Sequence, residues 1–276
     1  MAPAERRSLI LRVLSSLVLA PIAIAAAWFG WPWLPIVTAA AGAVMAWEWA
    51  RLCHAGRLGA SGVALIGAVL AAIAAAAAEG AALAVVVSLL GAAIVHEMAR
   101  REPQGEPCWL ALGTLWVALP CVLLLWLAEV EGAGRATLLW IFAVVWATDI
   151  GAYAVGRQLG GPRLAPRWSP RKTWSGLIGG AGCAALAGWG TALVAGISPV
   201  LPLVLVSAGL AIVGQFGDLA ESVAKRRFGV KDSSGLIPGH GGLLDRLDGL
   251  LAVIPAVALL TLVVGGGVLM WRWPGR

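Results

Sequence analysis

Apolar runs of about 20 residues, following one another from end to end, constrain this chain more than any other feature. A run of that length matches the hydrocarbon core of a bilayer. There every backbone N–H and C=O must be bonded within its own segment, so each run is read as an α-helix. Composition agrees: 60% of the residues are hydrophobic, 12% are charged and the mean hydropathy is +0.88. A soluble domain carries about twice that charged fraction. The runs predict an all-α, polytopic integral membrane protein with about nine transmembrane helices, and one membrane domain over 1–276. The spans are placed near 9–29, 33–52, 60–78, 80–98, 108–129, 136–157, 175–197, 200–222 and 249–271. Only Glu79 and Gly80 separate the third from the fourth, which form either a tight hairpin or one re-entrant pair. The first apolar run is too long for the core of a signal peptide and reads as a retained anchor.

Basic residues orient the spans. With the N-terminus inside, only Arg135, Arg272 and Arg276 of the 20 Lys and Arg residues fall outside. Enrichment of Lys and Arg in cytoplasmic loops makes that assignment coherent, and two long polar segments, about 158–174 and 223–248, then face the cytoplasm together. The net charge of +6 is read as topology and not as nucleic-acid binding. Cys53, Cys108, Cys121 and Cys183 are scattered without a CxxC pair, which argues for buried free thiols and against a disulfide framework or a zinc site.

The aspartates (Asp149, Asp218, Asp232, Asp245, Asp248) and lysines (Lys172, Lys225, Lys231) all lie between 149 and 248, whereas Arg and Glu are spread throughout. Asp149 sits near the end of the apolar run "FAVVWATDIGAYAVGR". A carboxylate at membrane depth costs about 3 kcal/mol, so Asp149 either lines a site or pairs with a nearby arginine such as Arg157. In "GQFGDLAESVAKRRFG", Asp218, Glu221, Ser222 and Lys225 fall on one helical face. Two carboxylates a turn apart suit a divalent cation and a lysine suits a phosphate; a surface helix laced with ion pairs would look the same.

The segment "KDSSGLIPGHGGLLDRLDG" is the most polar part of the chain. Asp245 and Asp248 are again three apart, at the start of the last apolar run, and hard oxygen ligands in that pattern suit Mg²⁺ with substrate phosphates. The glycines of "GHGG" allow close approach of backbone N–H groups to an anion, and His240 either donates to a phosphate or fixes the turn. Lys231, Asp232, Ser233 and Ser234 add to a metal-plus-phosphate reading. In "RLAPRWSPRKTWSG", Ser169, Arg171, Lys172 and Thr173 place hydroxyls and cations at a helix start; contact with anionic headgroups would use the same residues.

"ESVAKRRFGVKDSSGLIPGHGGLLDRLDG" resembles the characteristic segment of the phosphatidate cytidylyltransferases, or CDP-diacylglycerol synthases. "SPRKTW", "ATDIGAYAVGR" and, more weakly, "WEWARL" resemble further segments of that family, so the likeness in motifs covers about 149–249. Ser175 stands where an acidic or amide residue is frequent, and Gly249 where serine is common. The resemblance implies transfer of the cytidylyl group of CTP to phosphatidic acid, giving CDP-diacylglycerol and pyrophosphate. It also implies Mg²⁺ with room for a second cation, a homodimer, and a bacterial-type inner membrane with the active site facing the cytoplasm. Carried over by motif, Asp218, Asp245 and Asp248 become metal ligands, with Lys225 beside them. Lys172, Lys225, Arg226, Lys231 and His240 become phosphate binders, and Asp149, Ser169, Thr173, Ser222, Asp232 and Arg246 join the substrate site. A phosphate monoester is mostly ionised at pH 7, so His240 is not needed as a base. A CTP-dependent lipid-alcohol kinase is the nearest alternative. A cation or phosphate transporter is disfavoured, because the charges gather in loops and not at the bilayer midplane.

Overall fold

The computed structural model of the chain describes residues 3–103, 105–237 and 241–270. Among them stand nine α-helices: α1 Pro3–Phe29, α2 Trp33–Cys53, α3 Ala60–Glu79, α4 Ala81–Arg100, α5 Pro107–Ala128, α6 Gly134–Leu159, α7 Trp174–Val194, α8 Leu201–Arg227 and α9 Leu244–Val264. Seven of these, α3 to α9, are long and apolar enough to cross a bilayer. In α1 the apolar stretch is Leu17–Phe29, and α2 carries Glu48 and Arg51 near its C-terminal end. Large apolar side chains such as Leu83, Leu90 and Ile94 on α4 or Ile178, Leu186 and Leu193 on α7 stay exposed, as lipid contact requires. The chain is a polytopic helical membrane protein.

Two compact units share the chain, Met1–Trp126 with Lys225–Leu247 and Leu127–Ala224 with Asp248–Arg276. In the first unit, α3 and α4 are complete helices of 20 residues each, joined through Gly80 at φ +93°, so the hairpin reading holds. Small residues close the packing, since lipid leaves no hydrophobic drive between helices. A Cβ on Gly91 of α4 would stand 2.6 Å from the Ala68 methyl, and one on Gly42 of α2 would stand 2.8 Å from Ile73. The Trp49 indole, which leaves no space for a side chain on Gly113, donates its N–H to Trp109 O at 2.8 Å. Trp109 in turn meets Phe228 edge-on at 5.6 Å, fixing the exit of α8. Beyond α2, His54 Nδ1 meets Ala50 O at 2.8 Å and Nε2 meets Glu102 at 2.8 Å, while Glu102 also accepts the Ser61 N–H and hydroxyl, each at 2.7 Å.

In the second unit, α6 and α7 pack along their length through a stripe of small residues. Gly176, Gly180, Ala184, Gly188 and Ala192 recur every four positions on α7 and are buried. A Cβ on Gly180 would stand 3.0 Å from Thr148 O, and one on Gly151 of α6 would stand 2.6 Å from Cys183 Sγ. Trp140, 1% exposed, donates to Ser207 Oγ of α8 at 3.0 Å, and Ser207 passes its own proton to Leu203 O.

Two features depart from the sequence expectation. The segment 158–174, read as a plain loop, holds an antiparallel strand pair, β1 Arg163–Ala165 and β2 Ser169–Thr173. Strands of three and five residues, with an irregular register between Arg163 and Ala165, leave no two-residue hydrophobic period to detect. The last helix begins at Leu244 and ends at Val264, earlier at both ends than 249–271. Its stop is a left-handed Gly265 at φ +71°, where the N–H groups of Gly265 and Gly266 return to Thr261 O at 3.1 and 3.3 Å. The four cysteines are free.

Candidate active site

The polar residues form one cluster in each unit. In the first unit the Asp245 carboxylate, 5% exposed, organises the segment before α9. Its Oδ1 meets Lys225 Nζ at 2.5 Å. Its Oδ2 accepts the Ser233 N–H at 2.9 Å, the Ser233 hydroxyl at 2.8 Å and the Gly242 N–H at 2.8 Å. Gly241 holds φ +84° and pairs with Ile237 across a one-residue bridge, a backbone state that an L side chain rarely adopts. Glu48, fully buried on α2, receives the Leu243 N–H at 2.9 Å, the Leu244 N–H at 2.7 Å and the Ser234 hydroxyl at 2.6 Å. Beside this network lies a cavity of about 500 Å³ bordered by Trp47, Arg51, Phe228, Val230, Ser233 and Leu236. Arg51 stacks over the Trp47 ring at 4.8 Å and donates Nε–H to Gly56 O at 2.9 Å.

In the second unit, Gly217 brings α8 against α9: a Cβ there would stand 2.6 Å from Asp248 O. This approach sets the Asp218 and Glu221 carboxyls of α8 beside Asp248. Glu221, 1% exposed, lies close to Asp248, and Asp218 and Asp149 lie within electrostatic range of it. Asp248 Oδ1 also accepts the Gly249 N–H at 2.7 Å. Lys172 on β2 reaches Asp218 Oδ2 at 2.6 Å, and the Ser222 hydroxyl lies 3.4 Å from Oδ1. Buried carboxyl groups set close together repel unless a proton or a cation lies between them, and the ligand atoms here are all hard oxygen. Among the described residues, no group of three or more His, Cys, Asp or Glu side chains is placed to hold a metal ion. Mg²⁺ takes one or two carboxylates and completes its shell with water and phosphate, so one or two of these carboxyl groups have the ligand chemistry it needs without forming a ready-made cage.

The remaining expected residues take several places. Thr173 caps α7, its hydroxyl accepting the Gly176 N–H at 3.1 Å. Ser169 is half-buried on β2. Arg226 is exposed and donates to Val230 O at 3.0 Å. Asp149, Lys231, Asp232 and Arg246 are exposed as well, and His240 lies outside the described residues. Both departures from the family pattern are accommodated. The Ser175 hydroxyl bonds to Gly160 O, and a Cβ on Gly249 would meet only ordinary contacts beyond 3.7 Å, so a serine fits there. Sequence reasoning passed over Glu48, whose only signal was a carboxylate inside "WEWARL". Glu221 was placed on the right helical face but was not carried into the site.

The cytidylyltransferase family matches residues 10–264. This chain belongs to that family. Within the cytidylyltransferases, the phosphatidate cytidylyltransferase of Brucella suis is 41% identical over 266 residues, covering 91% of each chain. That of Pseudomonas aeruginosa is 34% identical over 268 residues, covering 93% of this chain and 98% of its own. The likeness thus extends through the N-terminal half, where the motifs alone were weak.

Proposed function

We propose that the chain transfers the cytidylyl group of CTP to phosphatidic acid, forming CDP-diacylglycerol and releasing pyrophosphate. The identity to a phosphatidate cytidylyltransferase over 91% of both chains carries this reading. In the reaction a phosphate oxygen of the lipid attacks the α-phosphorus of CTP. A new P–O bond forms, the bond to the β-phosphate oxygen breaks, and pyrophosphate departs with its electron pair.

Both reactants are anions. Two unit charges 4 Å apart repel by about 4 kcal/mol at an effective dielectric near 20, and several such charges meet here. Asp218, Asp245 and Asp248, with Glu221 next to Asp248, would hold one or two metal ions, Mg²⁺ first among them. Asp245 Oδ1 spends one lone pair on Lys225 and keeps another for a cation. Bound Mg²⁺ would supply Lewis-acid stabilisation of charge on the α-phosphate and the leaving group. Lys172 and Lys225, each already against an aspartate, carry three ammonium donors apiece and can bridge a carboxylate to a phosphate. Arg226 and Lys231 would offer charge to the incoming nucleotide, and the family motifs assign His240, Asp149, Ser169, Thr173, Ser222, Asp232 and Arg246 to substrate binding.

The same reading gives nine spans with the N-terminus and the active site on the cytoplasmic side of a bacterial inner membrane, and a homodimer. CTP then arrives from the cytosol and phosphatidate from the inner leaflet. The test is the purified protein in detergent with phosphatidate, Mg²⁺ and CTP labelled at either the α- or the γ-phosphate. Label from the α-position should enter lipid with release of pyrophosphate. Label entering lipid from the γ-position would make the chain a kinase instead.

A further inference from the structure

We propose that Glu48 is a positioning residue for the cytidylyl transfer: its carboxylate anchors Ser234, Leu243 and Leu244 and thereby sets the Lys225–Asp245 ion pair. The proposal rests on the function argued above. Glu48 comes from α2, within the weakly resembling "WEWARL" and far in sequence from the motifs of 149–249, and is fully buried. Among the described residues no lysine or arginine is seen to form an ion pair with it. Its charge is met by the N–H groups of Leu243 and Leu244 at 2.9 and 2.7 Å and by the Ser234 hydroxyl at 2.6 Å.

Those partners explain why a glutamate is needed. The first N–H groups of a helix have no intrahelical acceptor, and the residue before α9 is Leu243, whose side chain cannot supply one. Glu48 supplies it from 195 and 196 positions away, placing negative charge at the positive end of α9. Ser233 then links the two acidic centres. Its hydroxyl proton goes to Asp245 at 2.8 Å, and the same oxygen stands 3.4 Å from Glu48. Gly242 records how closely the parts approach: a Cβ there would lie 2.5 Å from Glu48 Oε1 and collide with the Ser233 hydroxyl. The backbone that presents the Ser233 and Gly242 N–H groups to Asp245 is therefore tied to Glu48 at Ser234, Leu243 and Leu244.

A merely structural glutamate would lower the amount of folded protein and leave turnover per folded molecule alone. A positioning glutamate lowers kcat in protein that is still folded, and it does so through Lys225. Glu48→Gln keeps the shape but turns an N–H₂ toward a backbone or hydroxyl donor. Expected is a 10- to 100-fold loss of kcat with the KM for CTP changed less than threefold, in protein of unchanged elution volume (order of magnitude for a misplaced reacting group). In a Lys225→Ala background the same substitution should add less than about threefold, because both changes break one unit. Ser234→Ala, which removes a single donor, should give a smaller loss that likewise vanishes in the Lys225→Ala background, and it decides the matter where Glu48→Gln does not accumulate. Full activity of Glu48→Gln, or of Ser234→Ala in its place, overturns the proposal, and so do losses that multiply with Lys225→Ala. Wild-type protein that makes no CDP-diacylglycerol would instead sink the functional reading itself.

Discussion

Around Asp245, hydrogen-bond donors outnumber carboxylate oxygens; around Asp248, carboxyl groups crowd one another. Asp245 has a lysine, two backbone N–H groups and a hydroxyl, and Glu48 has two backbone N–H groups and a hydroxyl at short range. Asp248 has one backbone N–H and otherwise faces Glu221, Asp218 and Asp149, with Lys172 joined to Asp218. A satisfied carboxylate fixes backbone, whereas a cluster of acids short of positive charge is a place where a cation lowers the free energy. Asp245 therefore fixes backbone in addition to any ligand role, whereas crowding of carboxyl groups is what marks the Asp248 cluster.

The largest effects should separate these groups. Asp248→Asn and Asp218→Asn take charge from the crowded cluster, so the isolated proteins should lose turnover by about 100- to 1000-fold while folding normally, with the apparent Mg²⁺ requirement raised (scale of a lost electrostatic stabiliser). Unchanged Mg²⁺ dependence in both would remove the cation from this cluster. Asp245→Asn should lose a similar factor in turnover and also lose stability, by about 1–3 kcal/mol, because its one amide oxygen can serve either the Ser233 and Gly242 donors or Lys225, and its N–H₂ then faces the other as donor against donor. Equal thermal stability of the Asp245 and Asp248 variants would erase the distinction drawn between the two.

An intermediate effect comes from the backbone approach on which the crowded cluster depends. Gly217→Ala puts a methyl 2.6 Å from Asp248 O, and backbone cannot yield as a side-chain tip does. Overpacking of this kind costs about 1–3 kcal/mol. The shift it forces on Asp218 and Glu221 should lower kcat about tenfold at an unchanged Lys225–Asp245 pair. Gly249→Ser, with room for its Cβ, should stay within about twofold of wild type by the same reasoning. A Gly217→Ala enzyme as active as Gly249→Ser would show that the approach of the helices does not set the chemistry.

How much of this was legible in the sequence follows from the range of each signal. The helices were read from uninterrupted apolar runs, and the face shared by Asp218, Glu221, Ser222 and Lys225 from helical spacing, because both signals are local. The hydroxyl of Thr173 is the counterexample among local signals: residue type marked a helix start correctly, yet its proton partner is the Gly176 backbone. The strand pair β1–β2 is too short to carry a period. Glu48 could not be placed, since the N–H groups it receives lie some 195 residues away and nothing around Leu243 announces that α9 has no acceptor of its own. Gly217 and Gly242 looked alike as glycines. Only coordinates show that one admits a neighbouring helix and the other admits the Ser233 hydroxyl and the Glu48 carboxylate.

The smallest effect tests the satisfied type of carboxylate away from any chemistry. Partial burial pushes the Glu102 carboxyl up, but the Ser61 N–H, the Ser61 hydroxyl and His54 together outweigh it and hold it below the usual carboxylate range. A folded-state value below the unfolded one means that Glu102 adds stability at pH above the ordinary carboxylate range. That contribution drains away as pH falls through the depressed value. It joins the end of α2, the start of α3 and the segment after α4, so its loss should loosen the first unit without touching Asp248. The contribution is on the order of 1 kcal/mol, since Glu102 is 21% exposed. Thermal unfolding of wild type and Glu102→Gln should therefore differ at pH 7 and converge on acidification. Curves that run parallel down to about pH 3 would mean that the donors around Glu102 favour its two protonation states equally. A satisfied carboxylate would then have to be defined by geometry alone, and the contrast with the Asp248 cluster would rest on its crowding and not on the donors.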